Sequence, residues 1–183
     1  MPPTQERVLI DRDRIGARVR AMGEEICAAL RSEMGEGDEV VMIPVMTGAL
    51  VFAADLIRAM PVRMSIHPVT VSSYRGKTTR PADLVMRSQT PTGLKGKHVI
   101  VVDDILDTGR TLALLRGMLA AQSPASLRIC VLLRKDKARE AEVEADLVGF
   151  DIPDEFVVGY GLDYDGLERN RPDIAVLGGG EER

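Results

Sequence analysis

VIVVDDILDTGRTL, residues 99–112, joins a run of mostly β-branched apolar residues to a turn that contains glycine and threonine. The run from His98 to Val102 is typical of a strand buried on both faces of a parallel sheet. Apolar residues then recur at helical spacing from Leu112 to Leu119. This stretch therefore predicts a buried strand, a tight turn and a helix in succession.

The same alternation of strands and helices extends to both sides of this stretch. A helix with one apolar stripe is predicted from Asp13 to Leu30, with Asp11 or Asp13 as its N-cap. Gly48 separates a short apolar strand from a second helical pattern that runs through Ile57. Strands are predicted at 40–45, 62–71 and 127–133. We therefore predict an α/β fold with a mainly parallel central sheet flanked by helices.

Two segments depart from this alternation. Residues 72–97 are polar and contain several glycines, prolines and threonines, and a loop of that length usually has a function. The segment 145–183 carries short apolar runs between turn residues, and we interpret it as the main part of a small flanking lobe. No internal repeat divides the chain, so residues 1–183 are predicted to form a single domain.

Composition and charge exclude several classes of protein. With 45% hydrophobic residues among 183, the chain can bury a core and is not disordered. A net charge of -4 without a block of basic residues argues against nucleic acid as a partner. The N-terminus lacks the apolar stretch of roughly 7 to 15 residues found in a secretory signal, and no run reaches the roughly 18 apolar residues of a membrane span. We predict a cytoplasmic protein with no membrane partner.

Three carboxylates lie at the end of the predicted buried strand, on Asp103, Asp104 and Asp107. Ligands of parallel sheets bind at the carboxyl ends of the strands. A turn rich in glycine and threonine at a helix start, here Thr108 to Thr111, offers backbone N–H groups and hydroxyls to a phosphate monoester. Asp103 and Asp104 can then hold sugar hydroxyls or a hydrated magnesium ion beside that phosphate.

The same residues have other interpretations. Asp107 or Thr108 can cap the helix, and paired aspartates at a strand end can simply be solvated. The DDxxD pattern from Asp103 to Asp107 also matches the magnesium-diphosphate motif of prenyl synthases. That motif lies on a long helix, whereas a β-branched run precedes it here and Thr-Gly follows it, so we discount this match. Three acids beside an apolar strand are costly to place unless something binds them, which favours a ligand site.

The stretch 99–112 resembles the signature of the phosphoribosyltransferases, which bind 5-phosphoribosyl 1-diphosphate. An acid at the position of Asp107 resembles the 6-oxopurine branch, the hypoxanthine-guanine phosphoribosyltransferases. The resemblance covers the chain from about Val40 to Arg169 and implies the type I phosphoribosyltransferase fold with a small hood lobe. Further matching stretches are VMTGALVFAADL (45–56), Ser73-Tyr74, LLRK (132–135) and VGFDIPDEFVVGYGLDY (148–164).

The resemblance implies an enzyme of purine salvage, a pentosyltransferase. It would join N9 of hypoxanthine, and of guanine, to ribose C1, expelling diphosphate and giving IMP or GMP. Asp107 would take or share the proton at purine N7, and Lys135 would donate to the 6-oxo group. Phe156 would stack on the base, and the backbone of Val157 would contact its edge.

The resemblance also implies contacts to 5-phosphoribosyl 1-diphosphate and to Mg²⁺. The metal would be held by Asp163 together with Asp103 and Asp104, and would neutralise the leaving diphosphate. Without the resemblance, Lys135 is predicted to be a solvated surface charge and Phe156 a core residue of a strand. The residues implied to contact the diphosphate substrate are Met46, Thr47, Gly48, Ser73, Tyr74, Asp103, Asp104, Thr108, Gly109, Arg110, Thr111, Arg139 and Arg169.

The sequence departs from the family pattern at two places. Many relatives carry a basic residue at the position of Thr47, in a loop with a non-proline cis peptide that would here be Met46–Thr47. Threonine cannot supply a charge, so the diphosphate would rely more on backbone N–H groups and on magnesium. The segment Arg75–Pro81 resembles the mobile hood of the family only at the preceding Ser73 and Tyr74, and we interpret it as a lid that excludes water.

Two other functions are compatible with the fold that the resemblance implies. A non-catalytic regulator would sense nucleotide and bind RNA, but it needs a basic surface, and the net charge and the intact Asp107 favour an enzyme. A xanthine-guanine phosphoribosyltransferase differs only in pocket detail, although such relatives tend to be shorter and to lack the tail that contains Phe156. The resemblance further implies a homodimer or homotetramer.

Overall fold

A computed structural model describes residues 6–74 and 83–177 of the chain. Within these residues the main sheet has the order β5-β4-β2-β6-β7-β8, and β3 also pairs with β2. Every pairing in it is parallel except that of β4 with β5. The predicted α/β fold with a mainly parallel sheet is confirmed. The strands are β2 (Val40–Met46), β3 (Met64–Ile66), β4 (Val69–Tyr74), β5 (Asp83–Met86), β6 (His98–Leu106), β7 (Ser126–Lys135) and β8 (Leu147–Ile152).

Three helices among the described residues cover the sheet, α1 (Arg12–Glu33), α2 (Leu50–Arg58) and α3 (Arg110–Ala120). Of the two predicted N-caps, Asp11 caps α1, because its Oδ1 accepts hydrogen bonds from the backbone N–H groups of Asp13 and Arg14 at 3.0 and 2.9 Å. None of the helices in the described part of the chain is long and apolar enough to span a membrane.

Strand β6 is buried on both faces, which explains its continuous apolar sequence. Ile100 and Val102 face the cluster that α1 and α2 contribute to. Val99 and Val101 face the opposite cluster, which includes buried leucines of α3. The strand therefore lies at the centre of the domain, and its carboxyl end is fixed by packing on both sides.

A second, smaller sheet flanks the main one. It is antiparallel, with the order β1-β10-β9, and consists of β1 (Glu6–Ile10), β9 (Val157–Val158) and β10 (Ile174–Leu177). The predicted lobe boundary at residue 145 is wrong, because β8 (147–152) pairs with β7 in the main sheet. The small sheet instead combines the C-terminal strands with the N-terminal β1, whose partner β10 lies at the other end of the chain.

The single strand predicted at 62–71 is also wrong, since the structure contains two short strands there. β3 pairs with the first half of β2, at Val40–Met42, and β4 pairs with its end, at Val45 and Met46. Pro68 lies between them and has no backbone N–H to donate to a ladder, which accounts for the break.

The long loop predicted at 72–97 is shorter than expected. β4 continues through Tyr74, and β5 pairs with it antiparallel from Asp83 to Met86, so this region contains a hairpin. The segment Arg75–Pro81, which we interpreted as a mobile lid, lies outside the described residues. The backbone of Ser73 and Tyr74 forms the last positions of β4, opposite Leu84 and Asp83.

Candidate active site

A cleft of about 350 Å³ lies at the carboxyl ends of β2 and β6. This is the edge of the sheet at which the sequence predicts a ligand site. The cleft brings together eleven of the predicted residues from four separate segments of the chain. They are Met46, Thr47, Gly48, Asp103, Asp104, Asp107, Thr108, Gly109, Thr111, Asp163 and Arg169.

Asp103 and Asp104 belong to β6 itself, which is longer than the sequence predicts and runs through Leu106. The side chain of Asp103 is buried, and its Oδ1 accepts a hydrogen bond from the backbone N–H of Asp104 at 3.1 Å. Burial, and secondarily the neighbouring Asp104, raise the pKa of Asp103 well above its usual range. Burial also raises the pKa of Asp104. Because burial affects both carboxylates, they are not a simply solvated pair. Hydroxyl donors or a cation in the cleft would stabilise their charged forms.

The turn at 108–111 lines the cleft through Thr108, Gly109 and Thr111. Gly109 is the N-cap of α3 with φ +81°, and as a glycine it has no side chain that could cap the helix. The alternative in which Asp107 or Thr108 caps the helix is therefore wrong. A Cβ on Gly109 would lie 2.8 Å from Cγ1 of Val143, so only glycine fits this position.

The same turn is supported from behind by the segment that follows β7. The backbone N–H groups of Glu140 and Ala141 donate to the carbonyl oxygen of Thr108 at 3.0 and 3.2 Å. Nε of Arg110 lies 3.9 Å from Oε2 of Glu140, and Arg110 is not among the residues that line the cleft. Its contact with the substrate stays a prediction.

Arg139 lies beside this turn and outside the cleft. Its Cδ lies 3.7 Å from the position of a Cβ on Gly109, and its Nη1 lies 4.0 Å from Oε1 of Glu144. Nε of Arg139 is buried and has no hydrogen-bond partner within the described parts of the chain. Arg139 is therefore not among the residues that line the cleft, and its contact with the diphosphate stays a prediction.

The loop after β2 approaches the acidic pair from the other side of the cleft. The peptide bond between Met46 and Thr47 is cis, as the resemblance implies. A Cβ on Gly48 would overlap the carboxylate of Asp104, so the loop contacts this side chain through its backbone. The absence of a side chain at Gly48 is what allows loop and carboxylate to share the cleft.

Asp163 and Arg169 both line the cleft and form an ion pair with each other. Nη2 of Arg169 lies 2.7 Å from Oδ1 of Asp163, and its Nη1 donates to the carbonyl oxygen of Gly161 at 2.7 Å. The backbone N–H of Gly166 donates to Oδ2 of Asp163 at 2.8 Å. Both carboxylate oxygens of Asp163 therefore already have a partner. A ligand that binds Asp163 or Arg169 must compete with the ion pair between them.

Asp107 connects the cleft with a group of charges at the ends of β6, β7 and β8. Nζ of Lys135 lies 3.7 Å from Oδ2 of Asp107 and 3.0 Å from Oδ1 of Asp154. Nζ of Lys137 contacts Oδ1 of Asp107 and lies 3.3 Å from Oδ1 of Asp154. Only 11% of the Lys135 side chain is exposed, so it is not the solvated surface charge that its sequence context predicts.

The aromatic residue predicted to stack on the base lies two residues after Asp154 in the chain. Phe156 is exposed rather than part of the core, and its ring makes an edge-to-face contact with Tyr164 at a centroid distance of 5.8 Å. The next residue, Val157, is buried in β9. An exposed ring held by an aromatic neighbour is suited to stacking on a planar ligand.

Mg²⁺ binds to proteins through one or two carboxylates, several waters and substrate phosphates. Among residues 6–74 and 83–177, no three Asp, Glu, His or Cys side chains converge into a metal site. Asp103 and Asp104 fit a site that a substrate phosphate completes, because a cation would offset the cost of their burial. Asp163 fits less directly, since it already pairs with Arg169.

The chain matches the phosphoribosyl transferase domain family over residues 13–165. It belongs to this family. The match spans the whole main sheet from α1 to β8, as well as the loop that contains Asp163.

Relatives of this phosphoribosyltransferase share most of its length. It is 40% identical over 178 residues to the hypoxanthine-guanine phosphoribosyltransferase of Mycobacterium avium, which covers 97% of this chain and 86% of the relative. It is 36% identical to the hypoxanthine phosphoribosyltransferase of Escherichia coli K12, over 93% of this chain and 94% of the relative. A crystal structure of the hypoxanthine phosphoribosyltransferase of Staphylococcus aureus is 35% identical, with a TM-score of 0.84 over 93% of this chain and 90% of that one.

Two charged residues of this phosphoribosyltransferase site, Lys137 and Asp154, were not predicted from the sequence. Lys137 follows Lys135 by two residues in a run of mixed charges, which ordinarily indicates solvated side chains. Asp154 lies in the turn after β8, a strand whose sequence predicts a place in the flanking lobe. Knowing that β7 and β8 are neighbours in one parallel sheet would have brought both residues to Asp107.

Gly48→Ala tests the contact between the loop and the acidic pair in this phosphoribosyltransferase. The added methyl group must displace the carboxylate of Asp104, so we expect KM for 5-phosphoribosyl 1-diphosphate to rise roughly tenfold while the protein stays folded. Gly117→Ala is the matched control, because a Cβ at this position in α3 meets no atom within 4 Å. Steady-state kinetics that show equal KM values for the two variants would contradict this assignment.

Proposed function

We propose that the protein transfers the 5-phosphoribosyl group from 5-phosphoribosyl 1-diphosphate to N9 of hypoxanthine and of guanine. The products are IMP or GMP and diphosphate, which makes the reaction a step of purine salvage. The placement of Asp107 beside Lys135, at a cleft that also contains the 108–111 turn, supports this proposal most directly. The names of the relatives agree with it and favour neither the RNA-binding regulator nor the xanthine-guanine enzyme.

The phosphoribosyl group is proposed to lie along the carboxyl end of β6. Thr108 to Thr111 cradle the 5-phosphate with backbone N–H groups and hydroxyls. Asp103 and Asp104 accept hydrogen bonds from the ribose hydroxyls, which offsets the burial of these carboxylates. Thr47 and Gly48 offer backbone N–H groups to the diphosphate, and Arg169 adds a positive charge at the same end of the cleft.

The purine is proposed to bind between the ends of β6 and β7. Lys135 donates to the 6-oxo group, and Asp107 accepts the proton of N7 as N9 attacks ribose C1. Phe156 stacks on the base, and the backbone of Val157 contacts its edge. General-base assistance of this kind contributes roughly 10² to 10⁴ in rate.

Mg²⁺ is the metal that we propose for this site, held by Asp103 and Asp104 with Asp163 as a further ligand. When bound, it supplies positive charge to the departing diphosphate. The residues of the chain that prepare this position are the buried acidic pair and the Asp163–Arg169 pair, which holds the neighbouring wall in place.

Diphosphate release from 5-phosphoribosyl 1-diphosphate, measured with and without hypoxanthine in the presence of Mg²⁺, tests the proposed function. Diphosphate release that requires hypoxanthine or guanine supports the proposed function. If neither base causes diphosphate release, the proposed function is contradicted. The predicted homodimer or homotetramer and the cytoplasmic location remain predictions, and a light-scattering mass tests the first of them.

Thr111→Val tests the phosphate cradle. The variant keeps the shape of the side chain and loses its hydroxyl, so we expect about five- to tenfold weaker binding of both 5-phosphoribosyl 1-diphosphate and IMP, which share the 5-phosphate. Calorimetric titration with each ligand measures the effect. Thr92→Val, at an exposed threonine before β6, serves as the control. Unchanged affinity for both ligands would remove Thr111 from this role.

A further inference from the structure

Four charged side chains meet at the carboxyl ends of three adjacent parallel strands. Asp107 follows β6, Lys135 and Lys137 lie at and just after the end of β7, and Asp154 lies just after β8. Each lysine contacts both aspartates, so the two cations and two anions alternate around the group. We call these four residues the charge cluster.

The distances within the charge cluster are unequal. Lys135 is closer to Asp154, at 3.0 Å, than to Asp107, at 3.7 Å. Lys137 is closer to Asp107 than to Asp154, from which its Nζ is separated by 3.3 Å. Each aspartate therefore has one principal lysine, and Lys135 is held away from direct hydrogen bonding with Asp107.

This separation matters for the proposed function, on which the following inference rests. The 6-oxo group and N7 lie side by side on the same edge of a 6-oxopurine. A base that uses both Lys135 and Asp107 must insert this edge between their charged groups. A direct hydrogen-bonded pair of Lys135 and Asp107 would have to be broken first, and its free energy would be lost from purine binding.

We propose that Lys137 is a positioning residue that holds the carboxylate of Asp107, so that Lys135 remains available to the purine 6-oxo group. Its ammonium is suited to this role, since it forms the closest ion pair of the charge cluster with Oδ1 of Asp107. Asp154 completes the arrangement by anchoring Lys135 from the other side. Lys137 itself touches neither the ribose nor the base in this assignment.

Lys137→Met is the variant that separates this role from a general structural one. Without Lys137, Lys135 becomes the sole lysine partner of Asp107 in the charge cluster and pairs with it directly. We expect KM for hypoxanthine to rise about fivefold or more, because the purine must now break that pair. We expect kcat and KM for 5-phosphoribosyl 1-diphosphate to stay within about twofold, because no group that contacts the reacting atoms is lost.

Two further variants complete the experiment. Lys137→Arg keeps a cation at the position, so it should return KM for hypoxanthine to within about twofold of the unmodified protein. Lys95→Met removes an exposed lysine at the opposite end of β6 and should change none of the constants. A thermal melt of each variant confirms that it is folded before its kinetics are compared.

The outcomes distinguish this inference from the proposed function. If the unmodified protein releases no diphosphate with either 6-oxopurine, the proposed function fails and this inference fails with it. If the unmodified protein is active and Lys137→Met leaves KM for hypoxanthine unchanged, only the role of Lys137 is overturned. A variant in which kcat and both KM values worsen together also overturns it, since that pattern indicates a general disturbance of the site.

Discussion

Adenine is expected to be a very poor substrate, with kcat/KM at least about 10³-fold below that of hypoxanthine. Lys135 carries an ammonium group that can only donate hydrogen bonds, and only 11% of its side chain is exposed. The 6-amino group of adenine is also a donor, so the two groups would face each other without an acceptor between them. The 6-oxo group of hypoxanthine or guanine accepts from the same ammonium.

Steady-state kinetics with hypoxanthine, guanine, xanthine and adenine at saturating 5-phosphoribosyl 1-diphosphate measure this preference. Lys135→Gln is an informative variant, because an amide both donates and accepts and should narrow the preference for hypoxanthine over adenine by about tenfold or more. Adenine turnover comparable to that of hypoxanthine in the unmodified protein would contradict the assignment of Lys135 as the 6-oxo donor.

The elements around β6 could be predicted because their signals are local. Residues 98–120 begin with a β-branched run, continue with a turn that contains Gly109 and end with leucines at helical spacing. This order is compatible with few structures other than a strand, a turn and a helix. The same local signal places three carboxylates at the ligand-binding edge of a parallel sheet. The cleft residues from 103 to 111 follow from it directly.

The errors arose where pairing joins distant parts of the chain. β1 pairs with β10, more than 160 residues away, and no local pattern in either strand specifies that partner. β8 is an edge strand whose residues are mostly half-buried, so its sequence lacks the continuous apolar run of β6 or β7. Its assignment to the flanking lobe followed from that weaker pattern.

The charge cluster illustrates why part of the site was missed. Lys137 and Asp154 are ordinary polar residues in their own segments, and only the adjacency of β7 and β8 gives them a common partner. The resemblance to the family identified Lys135 and Asp107 but provided no reason to consider these two residues. Their role depends on distances, which a linear pattern does not contain.

Asp107→Asn is expected to lower kcat by roughly 10² or more while leaving the affinity for IMP within about threefold. Asparagine keeps the shape of the side chain and can still donate a hydrogen bond through its amide, but it cannot accept the N7 proton. The loss therefore falls on the chemical step more than on binding. Steady-state kinetics measure kcat, and calorimetric titration with IMP measures the affinity for the nucleotide.

If Asp107 had only a structural role, Asp107→Asn would leave kcat nearly unchanged. The N-cap of α3 is Gly109, so the loss of the Asp107 carboxylate removes no cap. Asp136→Asn, at an exposed aspartate between Lys135 and Lys137, controls for the general effect of removing one negative charge beside the two lysines. If Asp107→Asn retained a kcat close to that of Asp136→Asn, the carboxylate would not be the general base, and the placement of Asp107 at the cleft would have to serve substrate binding alone.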